Sequence, residues 1–151
     1  MSDKFMQSGP NDVPIKRGDA AGAARELPTA MIRVRVSQSD VHYGGGIVAG
    51  AKVMEYFGDV ATELSIRYDR DEGLMAAYDL VEFKQPVRAG DYLEVVGRIV
   101  KVGNRSRRVA MEAYKVIEAD PESGPTAARV LPEPLLVARA HGTVVAPKPR
   151  G

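Results

Sequence analysis

One helical stripe, in a chain otherwise written in strand periods, is the feature that most constrains this sequence. Val53, Met54 and Phe57 recur at helical spacing, and Val60, Ala61 and Leu64 continue the same side. The spacing predicts a helix over residues 48–61, weakened intrinsically by Gly50 and Gly58. Glu55, Asp59 and Glu63 fall four apart and share another face of it if the helix reaches that far.

Elsewhere the apolar residues alternate. Ile32, Val34 and Val36 interleave with Arg33, Arg35 and Ser37, the pattern of a half-buried strand. Leu64, Ile66 and Tyr68 interleave with Ser65, Arg67 and Asp69, so another strand is expected from about Ala61, ending in a turn over 69–73. Further strands are expected over 74–84, 92–102, 106–118 and 135–146. Gln85-Pro86, Ala89-Gly90-Asp91 and Gly103-Asn104 separate them, and 119–130 reads as an exposed loop.

A lone helix must bury its stripe, and about five consecutive strands after it suggest a mainly antiparallel sheet. The simplest packing is an α+β hotdog fold, an antiparallel sheet wrapped around one long central helix. The alternative is an α+β sandwich with the helix lying across one sheet face. Either leaves sheet edges exposed, and exposed edges invite pairing. A homodimer, assembled further into a tetramer or hexamer, is the expected remedy.

With 151 residues the chain is long enough for one domain with a real core. We assign residues 1–29, with Pro10, Pro14 and Pro28, to a flexible arm, 30–147 to the hotdog domain and 148–151 to a tail. The absence of cysteine excludes disulfides and thiolate nucleophiles and fits a cytoplasmic protein. No apolar run reaches transmembrane length, so no membrane partner is expected. A net charge of +1 gives no push toward nucleic acid. His42 and His141 lack ligand spacing, so no metal is expected.

The chemistry concentrates where Gly44, Gly45 and Gly46 precede the helix. A helix start presents free N–H groups and favours negative charge. Side-chain-free residues there let a thioester carbonyl approach, and an N–H would bind the developing enolate better than the ground state. The other reading is a flexible connection between strand and helix. The three helix acids suit proton transfer if partly buried, or form a solvated face. His42 and Tyr43 orient an acyl group, or are an ordinary hydrogen-bonder and a packed ring. Glu82 points away from Val81 and Phe83 and is a secondary acid. The basic hairpin of Asn104, Arg105, Arg107 and Arg108 suits phosphates or plain solvent. It lacks the interleaved aromatics of a nucleic-acid platform.

Several segments carry a resemblance: SDVHYGG (39–45), GDVATEL (58–64), AYDLVEF (77–83), PVRAGDYLE (86–94), KVGNRS (101–106), EAYKVI (112–117) and PEPLLVARAHG (132–142). Across residues 32–145 the chain resembles the hotdog-fold coenzyme A ammonia-lyases. DVHYGG together with GDVATEL is the specific part, since PV-x-x-GD is common to many hotdog enzymes. The resemblance implies reversible loss of ammonia from a β-aminoacyl-CoA, here L-3-aminobutyryl-CoA giving crotonyl-CoA, as in lysine fermentation. It implies no metal or prosthetic group, the coenzyme A thioester being substrate, and sites between subunits. His42 and Tyr43 fall in the loop motif, Asp59 and Glu63 in the helix motif. On this reading an amide near Gly44–Gly46 binds the thioester oxygen, Asp59 or Glu63 takes the α-proton, and Glu82 holds the amine. Gly46 and Ala49 stand where the relatives carry polar groups, which puts the exact substrate in question more than the fold. A hotdog acyl-CoA thioesterase, a hydratase and a noncatalytic interaction module remain alternatives.

Overall fold

In the computed structural model, residues 26–148 are described. The expected arm and tail fall largely outside them. Five strands and one long helix follow in the order β1 (Thr29–Arg35), α1 (Gly50–Asp69), β2 (Leu74–Phe83), β3 (Tyr92–Val102), β4 (Ser106–Ala119) and β5 (Ala128–Val145). The strands form one antiparallel sheet in the order β1-β3-β4-β5-β2, so β1 and β2 are its edges. The single helix packed on this sheet is the expected hotdog architecture.

The stripe read from sequence is the face that packs. Phe57, Val60 and Leu64 are buried against Leu93, Val95 and Ile99 of β3 and Val109 and Met111 of β4. Gly97 marks a close approach. A Cβ there would lie 2.6 Å from Val60 Cγ1 and 3.0 Å from Met111 Cγ, so only glycine lets helix and sheet meet at this distance.

The strand expected from Ala61 does not form; α1 runs on to Asp69. Leu64 and Tyr68 are buried and Ile66 is exposed, which continues the spacing of Phe57 and Ala61 at helical period. The alternation of 64, 66 and 68 satisfied both periods over too short a window, and burial selects the helical one. Arg70, in the left-handed conformation at φ 57°, ends the helix by donating its N–H to the Ile66 carbonyl. Four strands, not about five, therefore follow the helix. The helix also opens at Gly50 and not at Val48, because Ala49 is extended at ψ 145° and Val48 is bridged to Val41.

β5 begins at Ala128, within the expected loop. Its ladder with β4 slips between Ile117↔Val130 and Lys115↔Leu135, and Pro132 and Pro134 sit in that slip. Proline has no N–H for a ladder, so a bulge is where a strand tolerates it.

Candidate active site

A cleft of about 890 Å³ opens at the N-terminal end of α1. One wall is the loop bearing His42 and Tyr43, and the floor is Ala49, Gly50, Ala51 and Met54 of the helix start. The opposite wall is the segment from Phe83 through Lys84 and Pro86 to Val87. Its lining is mostly apolar, and Lys84 is the only lysine, arginine or carboxylate residue among the lining side chains.

The loop is held by its own backbone. The N–H groups of His42 and Tyr43 both donate to Ile47 O, at 3.0 and 2.9 Å. Single bridges pair Val41 with Val48 and Ile47 with Arg88. The Val48 N–H reaches Val87 O at 2.8 Å and the Ala89 N–H reaches Gly46 O at 3.0 Å. Between these ties the glycines form one tight turn, with Gly45 and Gly46 both at φ 74°. That conformation is strained for any residue with a Cβ. No other group lies within 4 Å of where a Cβ would stand on Gly44, Gly45 or Gly46, so the turn faces open space.

The helix start is built to stay open. Ala49 is its N-cap and offers no side-chain oxygen, and no acid occupies the first turn. The positive end of the helix dipole is thus left for another group. Phe83 lies across it: a Cβ on Gly50 would sit 2.7–3.0 Å from three atoms of its ring. His42 and Tyr43 meet edge to face at 4.6 Å, with Tyr43 57% exposed.

The carboxylates are placed elsewhere within one chain. Glu55 is exposed and lies 3.3 Å from Lys52, which is also 3.7 Å from Asp40. Hydrogen bonding to Glu55 pushes the Lys52 ammonium up from its ordinary value. Glu63 pairs with Arg67 at 2.7 Å. Asp59 is exposed between them, and none of the three lines the cleft. Glu82 projects from the face of the sheet opposite its neighbour Phe83 and is held by Lys84 and, at 2.6 Å, by Arg139. Those two cations, Lys84 first, pull its carboxyl below the usual glutamate range.

The basic hairpin divides. Asn104 and Arg105 are exposed at its tip, with Arg105 Nε donating to Ala146 O at 3.2 Å. Arg107 is buried, donates to both Asp69 oxygens at 2.9 and 2.8 Å, and lies 5.0 Å over the Tyr68 ring. Arg108 donates to both Asp79 oxygens at 3.1 and 2.6 Å. Contact with Asp69 sets this hairpin at the C-terminal end of α1. A helix of 20 residues is roughly 30 Å long, so cleft and hairpin of one chain lie a helix length apart.

His42 and Tyr43 thus line the cleft at the helix start, whereas Gly44, Gly45 and Gly46 follow them in the chain without lining it. Phe83, Lys84, Pro86 and Val87 were not anticipated as cleft walls. The only signal for them was the PVRAGD motif close behind a strand end, which says nothing about what it faces.

Fold, glycine turn and apolar cleft together define the class: the chain belongs to the hotdog-fold family of coenzyme A thioesterases and ammonia-lyases. The family model for the thioesterase superfamily matches residues 45–119. A 3-aminobutyryl-CoA ammonia lyase of Acetoanaerobium sticklandii is 52% identical over 119 residues, which is 79% of this chain and 94% of that protein. The solved β-alanyl-CoA:ammonia lyase from Clostridium propionicum superposes with a TM-score of 0.77 at 35% identity, covering 81% of this chain and 87% of the other. A hexameric acyl-CoA thioesterase shares the fold at a TM-score of 0.63 and 23% identity, covering 78% and 68%.

Proposed function

We propose that this chain is a coenzyme A thioester ammonia-lyase that interconverts L-3-aminobutyryl-CoA with crotonyl-CoA and ammonia. The observation that carries the reading is the 52% identity to a 3-aminobutyryl-CoA ammonia lyase over nearly all of that protein's length. The uncapped helix start open to an apolar cleft, with the glycine turn just ahead of it in the chain, fits the chemistry. A proton leaves the carbon beside a thioester only if charge on its oxygen is stabilised, and oriented amides do this. The cleft between Met54, Val87 and Phe83 suits a short acyl chain. His42 and Tyr43 hold its mouth.

The acids enter from a second copy. β2 is an unpaired edge of ten residues with Leu74 78% exposed at one end and Phe83 53% exposed at the other. Two such edges pair antiparallel about a two-fold axis, which sets the two helices antiparallel side by side. Each helix start then lies beside the middle and later turns of the other helix, where Asp59 and Glu63 sit. The tip of the hairpin, Asn104 and Arg105, follows to the same end, within reach of the phosphates of coenzyme A. Arg107 and Arg108 brace that tip through Asp69 and Asp79, and Glu82 lies beside the joint with its charge already shared. Asp59 or Glu63 takes the α-proton, and the other carboxylate faces the ammonium. The dimer assembles further as a closed, soluble homo-oligomer in the cytoplasm.

The deciding experiment incubates the protein with crotonyl-CoA and ammonium. Loss of the enoyl-thioester absorbance that requires ammonium, without release of free thiol, is the expected result; loss without ammonium would make the chain a hydratase, and thiol release a thioesterase. Asp59→Asn and Glu63→Gln are each tested in the same assay. At least one is expected to lower the rate by about 10² or more. Full activity in both would remove the helix acids from the mechanism.

A further inference from the structure

Behind the cleft wall, Lys115 of β4 and Asp91, just ahead of β3, form an ion pair with Nζ and Oδ2 3.0 Å apart. Their side chains are 5% and 3% exposed. A buried ion pair is a weak source of stability, since apolar residues of the same size often do as well. Its hydrogen bonds to other residues fall on one short segment. Lys115 Nζ donates to Pro86 O at 3.2 Å, and Asp91 Oδ2 accepts the Arg88 N–H at 2.8 Å. Glu118 stands 3.6 Å from the ammonium on its outer side. The chain just after this segment is fastened to Val36, directly past β1, through Gly90 N–H to Val36 O and Val36 N–H to Asp91 O.

Pro86 and Val87 are cleft wall, and Val87 O and the Ala89 N–H are the two groups that tie down Val48 and Gly46. We propose that the Lys115–Asp91 pair is a positioning device: it sets the Pro86–Ala89 segment, and through it the glycine turn that receives the thioester oxygen. Neither residue touches substrate. The proposal rests on reading the cleft as the acyl site. It gives the PV-x-x-GD element a physical role, in which the aspartate locks the backbone that the proline and valine present.

The test separates positioning from plain stabilisation. Lys115→Met or Asp91→Asn alone strands one buried charge and is expected to lower the melting temperature. The double variant removes both charges and is expected to regain it. If the pair positions the loop, the double variant still shows kcat for ammonia addition down by about tenfold or more, with KM for crotonyl-CoA within about twofold. Its Val48 and Ala89 amides also exchange with deuterium about tenfold faster than in the parent, while β3 and β4 amides are unchanged. Recovery of stability, kcat and exchange together would overturn the proposal. A parent protein inactive on crotonyl-CoA would refute the lyase reading alone, because the exchange comparison still decides the role of the pair. A double variant that fails to fold leaves the parent's own exchange to decide: Val48 and Ala89 must be protected like sheet amides, and loop-like rates there would refute positioning.

Discussion

At the scale of single residues, two glycines close to each other do different work. Gly45 sits at φ 74° in open space, so alanine there meets no neighbour and suffers only backbone strain. Gly50 has ordinary helical geometry, but a Cβ would press into the Phe83 ring. Gly45→Ala is expected to cost about 1–2 kcal/mol of local strain, which the turn relieves by shifting its amides. Activity should fall with little change in affinity for the thioester. Gly50→Ala is expected to displace Phe83 and widen the cleft, raising KM for a short acyl-CoA while improving the intrinsic helix propensity at the start of α1. Steady-state kinetics on crotonyl-CoA separates the two, and identical kinetic signatures would contradict this division of roles. The sequence could single out the glycine run as a place where backbone is exposed. It could not distinguish Gly50, because its reason is a ring more than thirty positions away.

At the scale of elements, the fastening of β2 has a pH signature. This strand is an edge, joined by its ladder to β5 alone, and two ion pairs supplement that ladder. Asp79 reaches Arg108 on β4, and Glu82 reaches Arg139 on β5. Hydrogen bonding to Arg108 holds the Asp79 carboxyl below the usual range, and Lys84 with Arg139 does the same for Glu82. A carboxyl depressed in the folded state stabilises fully above its unfolded value and loses that contribution as pH falls through its folded one. Protection of β2 amides from exchange is therefore expected to hold at neutral pH and weaken from about pH 4.5 downward. The effect should be small and sensitive to salt, since Asp79 is exposed and Glu82 partly so. The pair of substitutions Asp79→Asn and Glu82→Gln should flatten the acid limb, and an unchanged limb would show that other groups set it. The strands themselves were legible where alternation ran long. β3 was read to the residue and β4 to within one, because each carries eleven or more residues between clear turns. The end of α1 and the start of β5 were not, because a short segment fits two periods and a proline pair imitates a loop.

At the scale of the whole molecule, the proposed helix acids lie outside the cleft of their own chain. The sequence placed Asp59 and Glu63 along the stretch that follows the glycine turn, which makes them look like neighbours. The fold shows that a shared helix is not a shared pocket: the cleft takes Gly50, Ala51 and Met54 from α1, and the acids lie further along an exposed flank. If antiparallel pairing of β2 edges brings them to the partner's cleft, the two halves of a site must come from different chains. Mixed dimers test this directly. One variant carries Gly45→Val, which spoils the turn, and the other carries Asp59→Asn with Glu63→Gln. Each alone is expected to be nearly inactive. Co-refolded in equal amounts, half the dimers are mixed, and each mixed dimer has one site with an intact turn and intact acids. Activity should therefore recover to about a quarter of the parent level. The recovery should vanish when the two variants are folded separately and combined without exchange of subunits. No recovery in co-refolded material would mean that turn and acids act within one chain, and the helix would have to shift by several ångströms on binding to bring them together.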